Sequence, residues 1–242
     1  MKKRDLMPRH IAVIMDGNGR WAREKGMRRV AGHIAGMKSV TAIVKAARDL
    51  GVNYLSLYAF SIQNWGRPKS EVDGLMELLG KYLETESSNL VKNGIRLNPI
   101  GRLDRLPPAA RRALEETVRK TRKCRRFTLT LALSYGAREE IVEAARKIAA
   151  SGIDPARVTA KTVEKNLYTA GLPEPDLLIR TGGEMRLSNF FLWQSAYTEI
   201  YVTKTLWPDF RKRHLKKAVE IFMKRERRFG LTKPTGRRGG ED

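Results

Sequence analysis

Six short apolar runs rich in strand-forming residues punctuate the chain, at 11–15, 54–60, 95–100, 127–133, 176–179 and 199–202. Most are continuous rather than alternating, the pattern of strands covered on both faces. Between most of them apolar residues recur at helical spacing. Over 33–50, Val40, Ile43, Val44 and Ala47 share a face, and the pattern stops at Gly51. Over 71–92, Leu75, Leu78, Leu79, Tyr82 and Leu83 do the same, and Gly94 ends it. Further helices are predicted at 107–123, 137–150 and 211–228. This alternation predicts an α/β fold: a single domain with a central, mostly parallel sheet of about six strands flanked by helices. Residues 1–7 and 231–242 read as flexible basic termini. No apolar run approaches the ~20 residues of a membrane span, and no signal peptide is apparent.

Three polar clusters follow predicted strands, and in parallel sheets ligands bind beyond the carboxyl ends of the strands. The first is Asp16-Gly-Asn-Gly-Arg-Trp21. It has G-x-G but lacks the third glycine of a dinucleotide fingerprint, and no P-loop occurs in the chain. Gly17 and Gly19 would let the backbone turn tightly and present N–H groups to an anion, with Arg20 adding charge. Asp16 beside them fits a divalent cation bridging carboxylate and phosphate. The second cluster is Ser61-Ile-Gln-Asn-Trp-Gly-Arg67. In the third, Arg180 and Arg186 could grip phosphate oxygens, with Ser188 donating from the start of a following helix. His33, just ahead of a helix expected to start near Ala35, is a further anion donor. Two anion loops on one edge suggest two phosphorylated substrates. The intervening Trp21, Tyr58, Phe60 and Trp65 suggest that these carry hydrocarbon.

Composition adds a strong charge. The 242 residues hold 48 Lys+Arg against 26 Asp+Glu, a net +22. That excess favours polyanionic partners: nucleic acid, anionic lipid or phosphorylated substrates. It concentrates in 211–242 (12 basic, 4 acidic) and 111–126 (8 basic, 2 acidic). A nucleic-acid module would interleave these charges with aromatics on one surface. Here the aromatics lie within strands or beside the Asp16 loop, so no nucleic acid is expected. Peripheral contact with an anionic membrane is. Cys124 is the only cysteine, which excludes an intrachain disulfide and points to a cytoplasmic protein.

At these residues the chain resembles the cis-prenyltransferases, the undecaprenyl diphosphate synthase family. The matching segments are His10-Ile-Ala-Val-Ile-Met-Asp-Gly-Asn-Gly-Arg-Trp21, Arg29-x-x-Gly-His33, Tyr58-Ala-Phe-Ser61 and Asn64-Trp65-x-Arg67-Pro68. Later come Asp176-Leu-Leu-Ile-Arg-Thr-Gly-Gly-Glu184, Arg186-x-Ser-Asn-Phe190, Glu199, Leu206-Trp-Pro-Asp-Phe210 and Arg225-Glu-Arg-Arg-Phe-Gly230. The resemblance spans 8–230, the expected catalytic domain, and implies condensation of isopentenyl diphosphate with an allylic diphosphate such as farnesyl diphosphate. The resemblance also implies that each new double bond is cis and that the product is a lipid carrier for cell-wall or glycan synthesis. It implies Mg²⁺ on Asp16 and Glu199. Gly17, Asn18, Gly19, Arg20, Trp21, Arg29, His33 and Arg67 fall to the allylic substrate, with Ser61, Ile62, Gln63 and Trp65 beside it. Arg180, Arg186, Leu187 and Ser188 fall to isopentenyl diphosphate. Asn64 is catalytic; an amide is no base near neutral pH, so it is expected to orient a water or the diphosphate that takes the proton. The resemblance further implies a homodimer in which Arg228 and Gly230 reach the partner's site. Met185, Gln63 and Ser134 depart from the family's usual His, Glu and Asn. The product's tail is expected to lie between the helices after Ser39 and Glu71 and the strand 127–133, with Phe127 as floor. Asp16→Ala is expected to abolish turnover and barely change stability.

Overall fold

The computed structural model describes residues 6–225. Six strands form one sheet: β1 (His10–Ile14), β2 (Tyr54–Ser61), β3 (Ile95–Ile100), β4 (Phe127–Tyr135), β5 (Leu177–Arg180) and β6 (Glu199–Val202). The order is β3-β4-β2-β1-β5-β6 and every pairing is parallel, where the sequence predicts only a mostly parallel sheet. β1, β4 and β5 are buried along nearly their whole length, as their continuous apolar runs require.

Seven helices cover the faces: α1 (Asn18–Glu24), α2 (Arg29–Asp49), α3 (Lys69–Lys92), α4 (Pro108–Thr121), α5 (Ala137–Ala150), α6 (Ala160–Asn166) and α7 (Lys212–Lys224). Five match the predicted helices, and α1 and α6 are additional. α2 begins four residues before 33, so His33 lies inside the helix instead of ahead of it. No helix begins at Ser188, which is left-handed with φ 51 in a run of turns. The main core lies between the sheet and α2, α3, α4 and α7; a smaller one on the opposite face packs Tyr135, Phe190 and Phe191 against β1 and β5.

The chain leaves β1 for β2 on one side and later returns to β5 on the other. Adjacent loops diverge at such a reversal and leave a crevice. The three polar clusters follow β2, β1 and β5, neighbours in the sheet, and so share one edge.

Candidate active site

Gly17 turns the chain out of β1 with φ 108, a conformation that strains any residue with a Cβ. Gly19 does not turn; it is helical, in α1. A Cβ there would lie 3.2 Å from Arg29 Nε, so its bareness makes room for the guanidinium. Gly32 serves α1 similarly: a Cβ would meet Asn18 O at 2.0 Å. α1 can therefore lie against α2 only because Gly32 has no side chain.

A cavity of about 690 Å³ opens over this loop. Asp16, Gly17, Asn18, Gly19, Arg20, Arg29, His33, Asn64 and Arg67 line it, together with Arg23 and Arg28, two cations the sequence reading passes over. A second, apolar cavity of about 90 Å³ lies beneath, between α2, α3 and the sheet. Met37, Val40, Phe60, Leu78, Leu79, Tyr82, Leu131 and Leu133 line it, the walls expected for a tail. Met15, Asn18, His33, Ala59 and Leu75 line both. The two cavities therefore meet end to end, one cationic and one apolar.

Arg180 is 4 % exposed and anchors the third cluster to the first. Its Nη2 donates to Asp16 Oδ2 at 2.8 Å, and its Nη1 to Ser188 Oγ at 2.8 Å and to the Arg186 carbonyl. Arg20 Nη2 lies 3.6 Å from Asp16 Oδ1. Two buried polar atoms here lack a partner, Arg180 Nε and Asn18 Oδ1, and such orphans are rare unless a ligand meets them. Gly182 and Gly183 spend their N–H groups on Thr205 O and Thr203 O, which removes them as anion donors. The Arg186–Ser188 turn is held from behind. Phe190 stacks on Tyr58 at 4.5 Å, and Asn189 donates to Glu139 Oε2 at 2.9 Å. Tyr135 Oη donates to the fully buried Glu140 at 2.5 Å, and Gln194 donates to it at 3.0 Å.

Asn64 Oδ1 accepts from the Ser61 N–H at 3.0 Å, which leaves its NH₂ for a ligand. Burial first, then the Arg67 charge, lowers the His33 pKa to about 4, so at neutral pH its ring meets an anion as a neutral N–H donor. Trp21 donates to Asp209 at 3.0 Å and Trp65 to Ser134 Oγ at 2.9 Å; neither lines the cavities, nor do Ser61, Ile62, Gln63, Arg180, Arg186, Leu187 and Ser188. Met185 is 85 % exposed.

Glu199 is not brought to Asp16 within the chain. It pairs with Leu177 at the start of β6, whereas Arg180 at the far end of β5 pairs with Ile14. Three residue steps of strand, about 10 Å, separate the two levels, and Asp16 lies two residues beyond Ile14, past the turn that ends β1. Glu199 instead takes Arg225 at 2.6 Å. Arg228 and Gly230 lie outside the described residues.

Residues 14–230 match the family described as "Putative undecaprenyl diphosphate synthase". An isoprenyl transferase of Geobacter sulfurreducens is 50% identical over 232 residues, 94% of each chain. One of Chlorobaculum tepidum is 49% identical over 237 residues, 96% of this chain and 89% of its own. Among solved structures, lavandulyl diphosphate synthase from Lavandula x intermedia, in complex with dimethylallyl diphosphate, superposes with a TM-score of 0.91. It is 39% identical, covering 93% of this chain and 99% of that one. A probable undecaprenyl diphosphate synthase from Campylobacter jejuni gives 0.78 at 36% identity, covering 95% and 100%. The fold and the sequence are those of a prenyltransferase. Within that class, the chain belongs to the undecaprenyl diphosphate synthase family.

Proposed function

We propose that the protein joins isopentenyl diphosphate to an allylic diphosphate, such as farnesyl diphosphate, and repeats the step to build a cis-polyprenyl diphosphate. The observation that carries this is the cationic cavity opening into an apolar one. It fits a diphosphate head on a hydrocarbon tail, and a nucleotide would leave the apolar part unfilled. The C–O bond of the allylic diphosphate breaks and diphosphate leaves. The terminal methylene carbon of isopentenyl diphosphate bonds to the freed carbon, and a proton is lost to form the new double bond.

Arg20, Arg29, Arg67 and neutral His33 hold the leaving diphosphate, whose growing charge their preset donors stabilise. Arg180, Arg186 and Ser188 hold isopentenyl diphosphate; Arg180 Nε is a buried donor that the protein itself leaves unpartnered. Asn64 donates its NH₂ to the diphosphate or water that takes the proton. Asp16 fits Mg²⁺: a carboxylate on the cavity, one oxygen held by Arg180, with the orphaned Asn18 Oδ1 two residues on along the chain. Bound there with phosphate oxygens and water, Mg²⁺ would neutralise the departing diphosphate. Glu199 could reach such a site only from a partner subunit.

A homodimer is part of the proposal, with Leu192, Tyr197 and Ile200 exposed at and beside the edge strand β6. So is cytoplasmic residence with peripheral contact to an anionic membrane through the basic faces of α4 and α7. Among the described residues no helix is long and apolar enough to cross one. Incubation with labelled isopentenyl diphosphate, Mg²⁺ and a panel of allylic primers, followed by product sizing, tests the function. A polyprenyl ladder is expected, and no transfer to any primer would refute it.

A further inference from the structure

Glu71 is a carboxylate set among cations that otherwise face the polar cavity. It lies in the first turn of α3, its side chain only 11 % exposed, and it does not line the cavity. Arg67 Nη1 donates to its Oε1 at 3.1 Å. Arg29 Nε stands 3.6 Å from Oε2, and His33 Nε2 stands 3.9 Å from Oε1. All three partners do line the cavity. The carboxylate therefore sits behind them, on the side away from a ligand. Such a group does not compete for the anion. It cancels the repulsion between two guanidinium groups and fixes side chains that would otherwise lose freedom on binding. The same helix carries Leu75, Leu78 and Leu79 into the apolar cavity. Glu71 thus ties the tail's wall to the residues that would grip the head.

We infer that Glu71 is a positioning residue for the allylic diphosphate, presetting Arg29, His33 and Arg67 without touching the ligand. This rests on reading the site as a prenyl diphosphate site. The third cluster does not contact Glu71, so isopentenyl diphosphate should be indifferent to it.

The test compares native protein, Glu71→Gln and Glu71→Asp, using farnesyl S-thiolodiphosphate, an unreactive allylic analogue, as the binding probe. Glu71→Gln should weaken binding about tenfold, the loss of one well-placed charge-assisted contact. KM for the allylic substrate should rise in step, while KM for isopentenyl diphosphate stays within about twofold. Glu71→Asp keeps the charge and should recover part of the loss; it serves alone if the glutamine variant does not fold. Unchanged or tighter binding, or an equal rise in both KM values, overturns the inference. Native protein that binds the analogue but transfers no prenyl group defeats the proposed function, and the binding comparison still decides the role of Glu71. Native protein that does not bind the analogue defeats both.

Discussion

With Asp16 cut back to alanine, Arg180 keeps the Arg186 carbonyl and Ser188 Oγ but loses its carboxylate while remaining 4 % exposed. Breaking a buried ion pair from one side costs roughly 3–5 kcal/mol; two surviving acceptors and the adjoining cavity bring the expected loss nearer 2 kcal/mol. The sequence-based expectation that Asp16→Ala barely changes stability therefore fails on Arg180, a partner 164 residues away that no local spacing could reveal. Asp16→Asn separates the effects. It keeps an acceptor for Arg180, so its urea midpoint should stay close to native. With Mg²⁺ present its turnover should fall roughly a thousandfold or more, since metal-assisted departure supplies several kcal/mol of the barrier. A variant keeping a tenth of the native rate would end the metal role of Asp16. A second residue-scale prediction concerns pH. His10 is buried, its Nδ1–H donating to Pro173 O at 2.7 Å and its Nε2 accepting from Ser56 at 2.8 Å. Burial dominates and lowers its pKa to about 4. Below pH 6.5 the unfolded chain binds this proton and the folded chain does not, so stability falls with pH down to about 4. His10 alone should remove about 3 kcal/mol across that window, and His33, lowered for the same leading reason, adds to it. Urea midpoints at pH 7 and 4.5 measure the slope, and His10→Asn should flatten it.

All six strands were legible because most are continuous apolar runs, which burial on both faces of the sheet requires, while β3 and β6, at the sheet's two edges, carry polar or exposed residues. α1 was not. Its seven residues open with Asn18 and Gly19 and bury only Ala22, so the segment carries no helical period and reads as a turn; contact with Gly32 of α2 supplies what the sequence lacks. The three strand-end clusters were legible because chemistry concentrates at loop positions where packing does not explain it. Glu71 was not singled out, since a glutamate opening a helix is ordinary and its three partners converge on it only in the fold. Phe127 tests the elements that form the apolar cavity. Leu131 and Leu133 of β4 line it, and Phe127 shares their face. It lies four residues, about 13 Å, further from Leu131 along the strand, buried in the main core and outside the cavity. In the proposed reaction a chain that outgrows this cavity would have to displace core side chains, Phe127 among them, at a cost that grows with each one displaced. Phe127→Ala should lengthen the product and cost about 3–5 kcal/mol of stability. Chromatography of dephosphorylated products decides it, and an unchanged length would mark Phe127 as core alone.

At the scale of the whole molecule, the sheet ends on β6, a four-residue strand hydrogen-bonded on one side only among the described residues. Ile200 in it is 43 % exposed, and Tyr197 just before it 66 %. An open strand edge with apolar neighbours invites pairing, and a twofold homodimer would satisfy it with the same patch from each subunit. Glu199 lies on that edge too, so in the proposed dimer it would face the partner's Asp16 and not its own, from which it is separated by three strand steps and a turn. Sharing makes a prediction that folding alone does not. If Arg228 also acts across the interface, Asp16→Ala and Arg228→Ala subunits are each inactive as pure dimers. In a mixed dimer one site combines an intact Asp16 with an intact Arg228, and the other carries both defects. After random re-equilibration of equal amounts, half the dimers are mixed and half the sites in those are whole, so recovery should approach about a quarter of native turnover. Subunit exchange is followed independently by fluorescence transfer between labelled chains. Full exchange with no recovered turnover would confine Arg228 to its own subunit.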